Sequence, residues 1–116
     1  MNTETIVQKQ VNAYNERNIS AFVECHAENV ELYSFPENTP YSIGREKLKN
    51  RYKEIFESSP NLNTEILSRM VMGNIVIDHE KVTGRKGVES SIIIAIYEIK
   101  NGLISKARFL RENSPT

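Results

Sequence analysis

Four charged residues in the second half of the chain are of the types that perform acid/base chemistry: Arg69, Asp78, Glu80 and Arg108. An arginine can hold a neighbouring carboxylate ionised, while a second carboxyl group without a cation beside it can exchange protons near neutral pH. The same residues could instead form an ion-pair network that only closes one end of the fold, because such networks perturb pKa values too. Whether these residues perform acid/base chemistry or only form an ion-pair network depends on whether their side chains face a cavity.

Positions 69, 78 and 80 lie in a segment that predicts a β-hairpin. Two alternating apolar runs flank Gly73-Asn74, and a type II′ turn with glycine at the φ > 0 position places Arg69 opposite Asp78. Successive side chains of a strand point to opposite faces, so Arg69, Asp78 and Glu80 share one face of this hairpin. We therefore expect Asp78 to pair with Arg69.

Glu80 is the better candidate for proton transfer. Its expected cross-strand neighbours, Leu67 and Ser91, carry no charge, whereas Asp78 is opposite an arginine. A carboxyl group in apolar surroundings without a close cation has a raised pKa. Glu80 would then either accept a hydrogen bond from Arg108 or face the cavity.

The opposite face of the predicted sheet is apolar and would form an exposed patch larger than monomers usually tolerate. We therefore expect a homodimer that buries this outer face. The assignment requires a regular register, because a single bulge moves a whole strand to the other face. The expected outer-face side chains are Ile66, Met70, Met72, Ile75, Ile77, Ile92, Ile94, Ile96, Ala107 and Phe109.

Six aromatic residues could line a pocket for a flat, mostly apolar ligand and offer hydroxyl groups that orient it. Packing in the core explains most of them without any ligand. The tyrosines at positions 14, 33 and 97 are the better candidates for ligand contact. The six residues are Tyr14, Phe22, Tyr33, Tyr52, Phe56 and Tyr97.

The elements that must position these residues follow an α-α-β-α order and then a four-stranded meander. This order predicts an α+β fold in which helices cover one face of a curved antiparallel sheet. Asn101-Gly102 is a strong hairpin signal between the last two strands. The predicted elements are helices from Thr3 to about Arg17, from Asn18 or Ser20 to His26 and from Gly44 to Ser58, an edge strand from Val30 to Phe35, and strands at about 62–72, 75–84, 89–100 and 103–112.

The composition predicts one globular domain over residues 1–116. Lys plus Arg equals Asp plus Glu at 15 each, and no basic run occurs, so a nucleic-acid partner is not expected. The longest apolar run falls far short of the ~20 residues that cross a bilayer, and the N-terminus lacks signal-peptide features, so we expect a cytoplasmic protein without membrane contact. The lone Cys25 and the absence of ligand-spaced His or Cys predict no disulfide, metal or other cofactor.

Several motifs, taken in their order along the chain, resemble the nuclear transport factor 2-like superfamily, and in particular its SnoaL-like and ketosteroid-isomerase-like members. They include Ala13-Tyr-Asn-Glu-Arg-Asn18, Glu28-Asn-Val-Glu-Leu-Tyr33, Gly44 before the third helix, Gly84-Arg-Lys86 and Asn101-Gly102. The resemblance implies a cone-shaped α+β fold in which the sheet wraps the long third helix and encloses a pocket that opens at one end. It also implies a homodimer, which such proteins often form.

The resemblance does not carry the ketosteroid isomerase mechanism with it. That mechanism uses a carboxylate base and an oxyanion hole made from a tyrosine and a protonated aspartic acid. The matching positions here hold Phe35, Gln10 and Ala95 respectively. An arginine between carboxylates also resembles the limonene-epoxide-hydrolase relatives, although their arginine and carboxylate stand two apart on one strand.

The sequence thus predicts a protein that binds a small cyclic, mostly apolar molecule. Acid/base chemistry of an isomerase, cyclase or epoxide-hydrolase type would come from a carboxylate on the concave face. The alternative is a ligand-binding or dimerisation domain without catalysis, because members of one superfamily with a shared fold differ in function.

Overall fold

The computed structural model describes residues 2–111 and confirms the α+β architecture: three helices and one six-stranded curved sheet. The predicted end of the last strand, Glu112, lies outside the described residues, as do the remaining terminal positions of the predicted domain. The elements are α1 (Thr3–Asn15), α2 (Ile19–Glu24), β1 (His26–Ser34), β2 (Ser42–Ile43), α3 (Arg45–Ser58), β3 (Asn63–Met72), β4 (Ile75–Thr83), β5 (Ser91–Lys100) and β6 (Leu103–Arg111).

Asparagine caps begin the first two helices. The Asn2 side chain accepts a hydrogen bond from the backbone N–H of Thr5, and Asn18 does the same for Ala21, which satisfies amides that a helix start leaves open. The second helix ends at Glu24, earlier than predicted. The chain turns into β1 at this point because His26 already pairs with β6.

The sheet has the strand order β2-β1-β6-β5-β4-β3, and every neighbouring pair is antiparallel except β1 with β6. β1 was predicted as an edge strand, and this is wrong. The two-residue β2 pairs with its free side, Glu31 opposite Ile43, so β1 is internal. A two-residue strand carries too little periodicity to be recognised from sequence.

The β3–β4 hairpin has the predicted register near its turn, with Arg69 opposite Asp78. A bulge at Leu67 then shifts the pairing, so that Ile66 stands opposite Glu80 and turns to the concave side instead of the outer face. Between β4 and β5, Glu80 pairs with Ile93 rather than with Ser91. The register differs from the predicted one by two residues, so each side chain stays on its predicted face.

A second bulge, at Ser105 of β6, overturns the predicted faces of this strand. Beyond it, Ala107 stands opposite Tyr97 and Phe109 opposite Ala95, so both belong to the concave face and not to the outer one. Arg108 consequently lies on the outer face, opposite Ile96, where the prediction had it pointing inward.

The core lies between the helices and the concave side of the sheet. Its largest fully buried side chains include Val7 of α1, Phe22 of α2, Leu48 of α3 and Ile104 of β6. The outer face keeps Met70 and Met72 exposed. None of the helices within residues 2–111 has the length and apolarity to cross a bilayer.

Candidate functional site

A cavity of about 510 Å³ lies between the helices and the concave face of the sheet. Its walls come from α1, α3, the strands β3 to β6 and the loop that joins β4 to β5. Its lining includes carboxyl, hydroxyl, amide and guanidinium groups besides apolar side chains. The lining residues are Gln10, Val11, Tyr14, Arg51, Tyr52, Ile55, Thr64, Glu80, Val82, Arg85, Gly87, Val88, Glu89, Ser90, Ser91, Ile93, Tyr97, Phe109 and Arg111.

Glu80 is the carboxyl group that lines this cavity from the sheet. The residue is only 6% exposed, and the hydroxyl of Tyr97 donates a hydrogen bond to its Oε2 over 3.3 Å. Burial, and next the charge of Asp78, raise the pKa of Glu80 to about 8, against smaller lowering effects of Tyr97 and Arg69. Glu80 is therefore mostly a neutral acid at pH 7, with an ionised minority.

Asp78 and Arg69 form a closed pair outside the cavity lining. The guanidinium donates from Nε to Oδ1 over 2.6 Å and from a terminal nitrogen to Oδ2 over 2.9 Å, and Asp78 has no exposed surface. From α1, Gln8 accepts a third hydrogen bond from Arg69 at 2.8 Å, and Glu4 lies 3.7 Å from it. Arg69 and Asp78 therefore join the hairpin to α1 beside the cavity, and neither residue lines it.

Arg108 and Tyr33 are not part of the cavity. Because of the bulge at Ser105, the guanidinium of Arg108 lies on the outer face, 3.9 Å from Glu98 and 4.7 Å above the ring of Tyr33. Tyr33 is the neighbour of Arg108 across β1 and β6, and its hydroxyl donates to Glu31 over 2.9 Å. The predicted placement of Arg108 inside the cone is wrong because of the bulge. Tyr33 was predicted to line the pocket, and this is also wrong, since it packs beside Arg108 instead.

The other five predicted aromatic residues divide into two layers. Tyr14, Tyr52 and Tyr97 line the cavity. Phe22 and Phe56 are buried behind them, with ring centroids 4.6 Å apart for Phe22 and Tyr52 and 5.6 Å apart for Phe56 and Tyr14. The phenylalanines thus support the tyrosines from the core without lining the cavity.

Comparison with known sequences identifies the family. The chain matches the SnoaL-like domain over residues 7–107. It belongs to the SnoaL-like domain family. No curated protein matches this sequence.

Solved structures show the same fold at low sequence identity. A cystatin-fold protein from Novosphingobium aromaticivorans has a TM-score of 0.87 and 20% identity, covering 96% of this chain and 99% of its own. A candidate ketosteroid isomerase from Kribbella flavida has 0.82 and 18%, covering 98% and 80%. A candidate polyketide cyclase from Sinorhizobium meliloti has 0.77 and 18%, covering 94% and 99%. The SnoaL-like domain therefore shares the nuclear transport factor 2-like fold.

Gln10 lines the cavity, a role that its position in place of the ketosteroid isomerase tyrosine did not predict. It is 7% exposed, and its Oε1 has no hydrogen-bond partner among residues 2–111. A buried carbonyl oxygen without a hydrogen-bond donor destabilises the fold, so a ligand hydroxyl or N–H that donated to Oε1 would bind favourably here. The available signal was a polar residue between Val7 and Tyr14 on the apolar stripe of α1.

Three arginines at the cavity were also missed: Arg51, Arg85 and Arg111. Arg51 lies on α3 beside Tyr52, and its charge is indistinguishable in sequence from the solvated face of that helix. Arg85 is in a loop, whose path the pattern does not determine. Arg111 reaches the concave side only because of the bulge in β6.

The tyrosine hydroxyls of the cavity stay protonated at neutral pH. Burial raises the pKa of Tyr14 to about 12, although the charges of Arg85 and Arg111 oppose this. Burial likewise raises the pKa of Tyr52 and of Tyr97. The SnoaL-like cavity thus combines a buried carboxyl group, with a pKa of about 8, with neutral hydroxyl donors. In the described part of the chain, no group of three or more His, Cys, Asp or Glu is arranged to hold a metal ion.

Proposed function

We propose that this SnoaL-like domain binds a small ring-containing, mostly apolar molecule in its cavity, and that Glu80 transfers protons to and from that molecule. The observation that carries the proposal is the position of Glu80: buried in the fold, yet in the cavity wall, with a pKa of about 8. A general acid or base works best when its pKa lies near the operating pH.

The two protonation states of Glu80 support two halves of one reaction. The neutral acid can donate its proton to a developing oxyanion, and the ionised minority can remove a proton from carbon beside a carbonyl group. Tyr97, which hydrogen-bonds Oε2, is placed to stabilise the ionised form. Isomerisation and ring closure beside a carbonyl group use both transfers, and epoxide opening uses the donation of a proton to oxygen. The solved structures with the same fold include a candidate ketosteroid isomerase and a candidate polyketide cyclase.

The proposed mechanism is not that of a ketosteroid isomerase. Phe35, at the position of the base, is exposed outside the cavity lining, and Ala95, at the position of the oxyanion-hole acid, has no proton to donate. Gln10 replaces the tyrosine, and its Oε1, which has no partner among residues 2–111, can accept a hydrogen bond but cannot donate one. Neutral Glu80 and the cavity tyrosines can instead donate hydrogen bonds to an oxyanion beside Glu80.

A probe reaction tests Glu80 without knowledge of the natural substrate. In the Kemp elimination of 5-nitrobenzisoxazole, a base takes the proton from C3 as the N–O bond breaks, and the product is the coloured 2-cyano-4-nitrophenolate. We expect a protein-dependent rate that rises with pH and levels off above about 8, and that Glu80→Gln abolishes. Glu89→Gln, which changes the other lining carboxyl, is the matched control and should retain the rate.

The alternative function is ligand binding without catalysis. It is favoured by the sealed Arg69–Asp78 pair. Because Asp78 is held in this pair, the hairpin contributes one carboxyl group to the cavity lining instead of two. A rate that is identical in the wild type and in Glu80→Gln would contradict the acid/base proposal and leave this one.

We also propose that the domain forms a homodimer through the outer sheet face. Met70 and Met72 are exposed there, and the isoleucines at 92, 94 and 96 are only partly buried by their own chain. Burying such side chains gains roughly 1.5–3 kcal/mol each, enough to offset the cost of association when several are buried together.

A further inference from the structure

Three arginines line the cavity from three separate elements. Arg51 comes from α3, Arg85 from the loop after β4, and Arg111 from the end of β6. Within residues 2–111, none of the three lies within 4.0 Å of a carboxylate, unlike Arg69 and Arg108. Arg51 and Arg111 instead lie over aromatic rings, Arg51 at 5.0 Å from the ring centre of Tyr41.

The charge of the lining differs from that of the chain. The chain holds 15 cationic and 15 anionic side chains, so its formal net charge is zero. The cavity lining has three arginines against two carboxyl groups, Glu80 and Glu89, and Glu80 is mostly neutral at pH 7. At pH 7 the lining therefore carries a net positive charge, unlike the chain as a whole.

This positive potential reaches the hydroxyl groups inside. Burial dominates the shifts of the two tyrosines, but Arg85 and Arg111 oppose it by lowering the pKa of Tyr14, and Arg51 and Arg111 do so for Tyr52. Each arginine thus acts electrostatically on a cavity wall. A low-dielectric cleft lined by one sign of charge attracts ligands of the other sign.

We propose that the ligand is an organic anion: a ring-sized apolar body with one acidic group. Arg51, Arg85 and Arg111 bind this acidic group at the solvent-facing end of the cavity. The inference rests on the proposed function, because it concerns the ligand of the same cavity. Guanidinium groups match carboxylate and related oxyanions with two parallel hydrogen bonds.

The same arrangement fixes the orientation of such a ligand. The arginines are exposed or half-buried, whereas Glu80 is buried, so the acidic group lies toward solvent and the apolar body toward Glu80. The reverse orientation would bury the anion away from the three arginines and near the Asp78 carboxylate, whose negative charge already raises the pKa of Glu80. Gln10 is left to accept a hydrogen bond from a hydroxyl or N–H of the body.

Two fluorescent probes that differ by a single sulfonate group test this inference. The probes are 8-anilinonaphthalene-1-sulfonate and its uncharged parent, N-phenyl-1-naphthylamine. We expect the anionic probe to bind the full chain about tenfold more tightly, and its affinity to fall with added salt while that of the neutral probe does not. Arg85→Gln and Arg111→Gln should each weaken only the anionic probe, by roughly three- to tenfold.

Two controls separate the cavity from the rest of the surface. Arg108→Gln makes the same charge change on the outer face and should leave both affinities unchanged. Ser91→Phe, which fills space in the lining, should weaken both probes. 2-Naphthoate should displace the anionic probe, and 2-naphthamide should need about tenfold higher concentration for the same displacement.

The possible failures are distinguishable. Equal affinity for the two probes, or an anionic affinity that the Arg85 and Arg111 variants do not change, would overturn the organic-anion inference. The role of Glu80 would then still stand on the Kemp elimination. If Ser91→Phe leaves both probes bound as before, the cavity is not their site, and the inference falls together with the proposed ligand pocket.

Discussion

Arg69 and Asp78 face each other across the β3–β4 hairpin, where two hydrogen bonds of 2.6 and 2.9 Å join the guanidinium to a carboxylate that solvent does not reach. Asp78→Asn keeps the shape of the side chain but leaves the arginine without its counter-charge. Breaking a buried ion pair costs about 3–5 kcal/mol. We expect a loss of that size in the free energy of unfolding, measured by urea denaturation.

Glu4→Gln provides the comparison for this variant. Glu4 lies 3.7 Å from the same guanidinium, but its side chain is 57% exposed, so removing its charge should have a small effect, at most about 1 kcal/mol. If Asp78→Asn destabilises the fold no more than Glu4→Gln does, the buried pair does not stabilise the hairpin.

Two neighbours of Glu80 should shift its pKa in opposite directions. Tyr97→Phe removes a hydrogen bond that favours the ionised carboxylate, so the pKa should rise above its value of about 8. Asp78→Asn removes a negative charge that disfavours ionisation, so the pKa should fall. The carboxyl ¹³C chemical shift of Glu80, followed against pH, measures both. Shifts of the same sign would contradict the assigned interactions.

The sequence contained enough information for the pairing that builds this site. A glycine at the φ > 0 position of a two-residue turn determines which residues stand opposite, so the confirmed register places Arg69 against Asp78. The two-residue period of a strand then brings Glu80 to the same face. Both are local rules, and they hold as long as the strand stays regular.

Irregularity in the strands is where sequence reasoning failed. The bulges at Leu67 and Ser105 each exchange the faces of the residues beyond them, which moved Ile66 and Phe109 inward and Arg108 outward. The position of a bulge depends on the curvature of the whole sheet, so a short stretch of sequence does not predict it. The arginines of the cavity were missed for the same kind of reason, since they converge from distant elements.

Gly84 and Gly87 form a matched pair in the loop that borders the cavity. Both have positive φ, +79° and +75°, so alanine is strained at either position. A Cβ at Gly84 would also overlap the backbone of Asn61, whereas one at Gly87 would meet nothing within 4 Å. Gly84→Ala should therefore cost about 1–3 kcal/mol more than Gly87→Ala in thermal unfolding. Equal losses would mean that the loop moves freely away from Asn61.

The proposed dimer predicts a change of mass. Ile77→Asp places a charge among the apolar residues of the outer face, where burial without a partner is costly, so it should give monomers or aggregates. Val88→Asp introduces the same charge at an exposed apolar residue outside that face and should keep the dimer. Sedimentation at micromolar concentration reads both variants. A wild type that sediments as a monomer would rule out this interface.

The buried carboxyl of Glu80 should make the domain less stable as the pH rises. Its pKa of about 8 in the fold lies above the ordinary value of 4.5, so between these pH values the folded state keeps a proton that the unfolded chain has lost. The free energy of unfolding then falls by about 1.4 kcal/mol per pH unit across this window and levels off above it. Glu80→Gln carries no such proton.

The difference between wild type and Glu80→Gln isolates this contribution, because the other groups titrate alike in both proteins. One of them is His26, whose pKa burial lowers to about 4 and whose effect on stability has the opposite slope. Urea denaturation from about pH 5 to about pH 9 should show the variant gaining on the wild type by a few kcal/mol, while Glu89→Gln keeps the wild-type slope. Parallel curves for wild type and Glu80→Gln would mean that Glu80 titrates as an ordinary solvated carboxyl, which would also remove it as the proton carrier of the cavity.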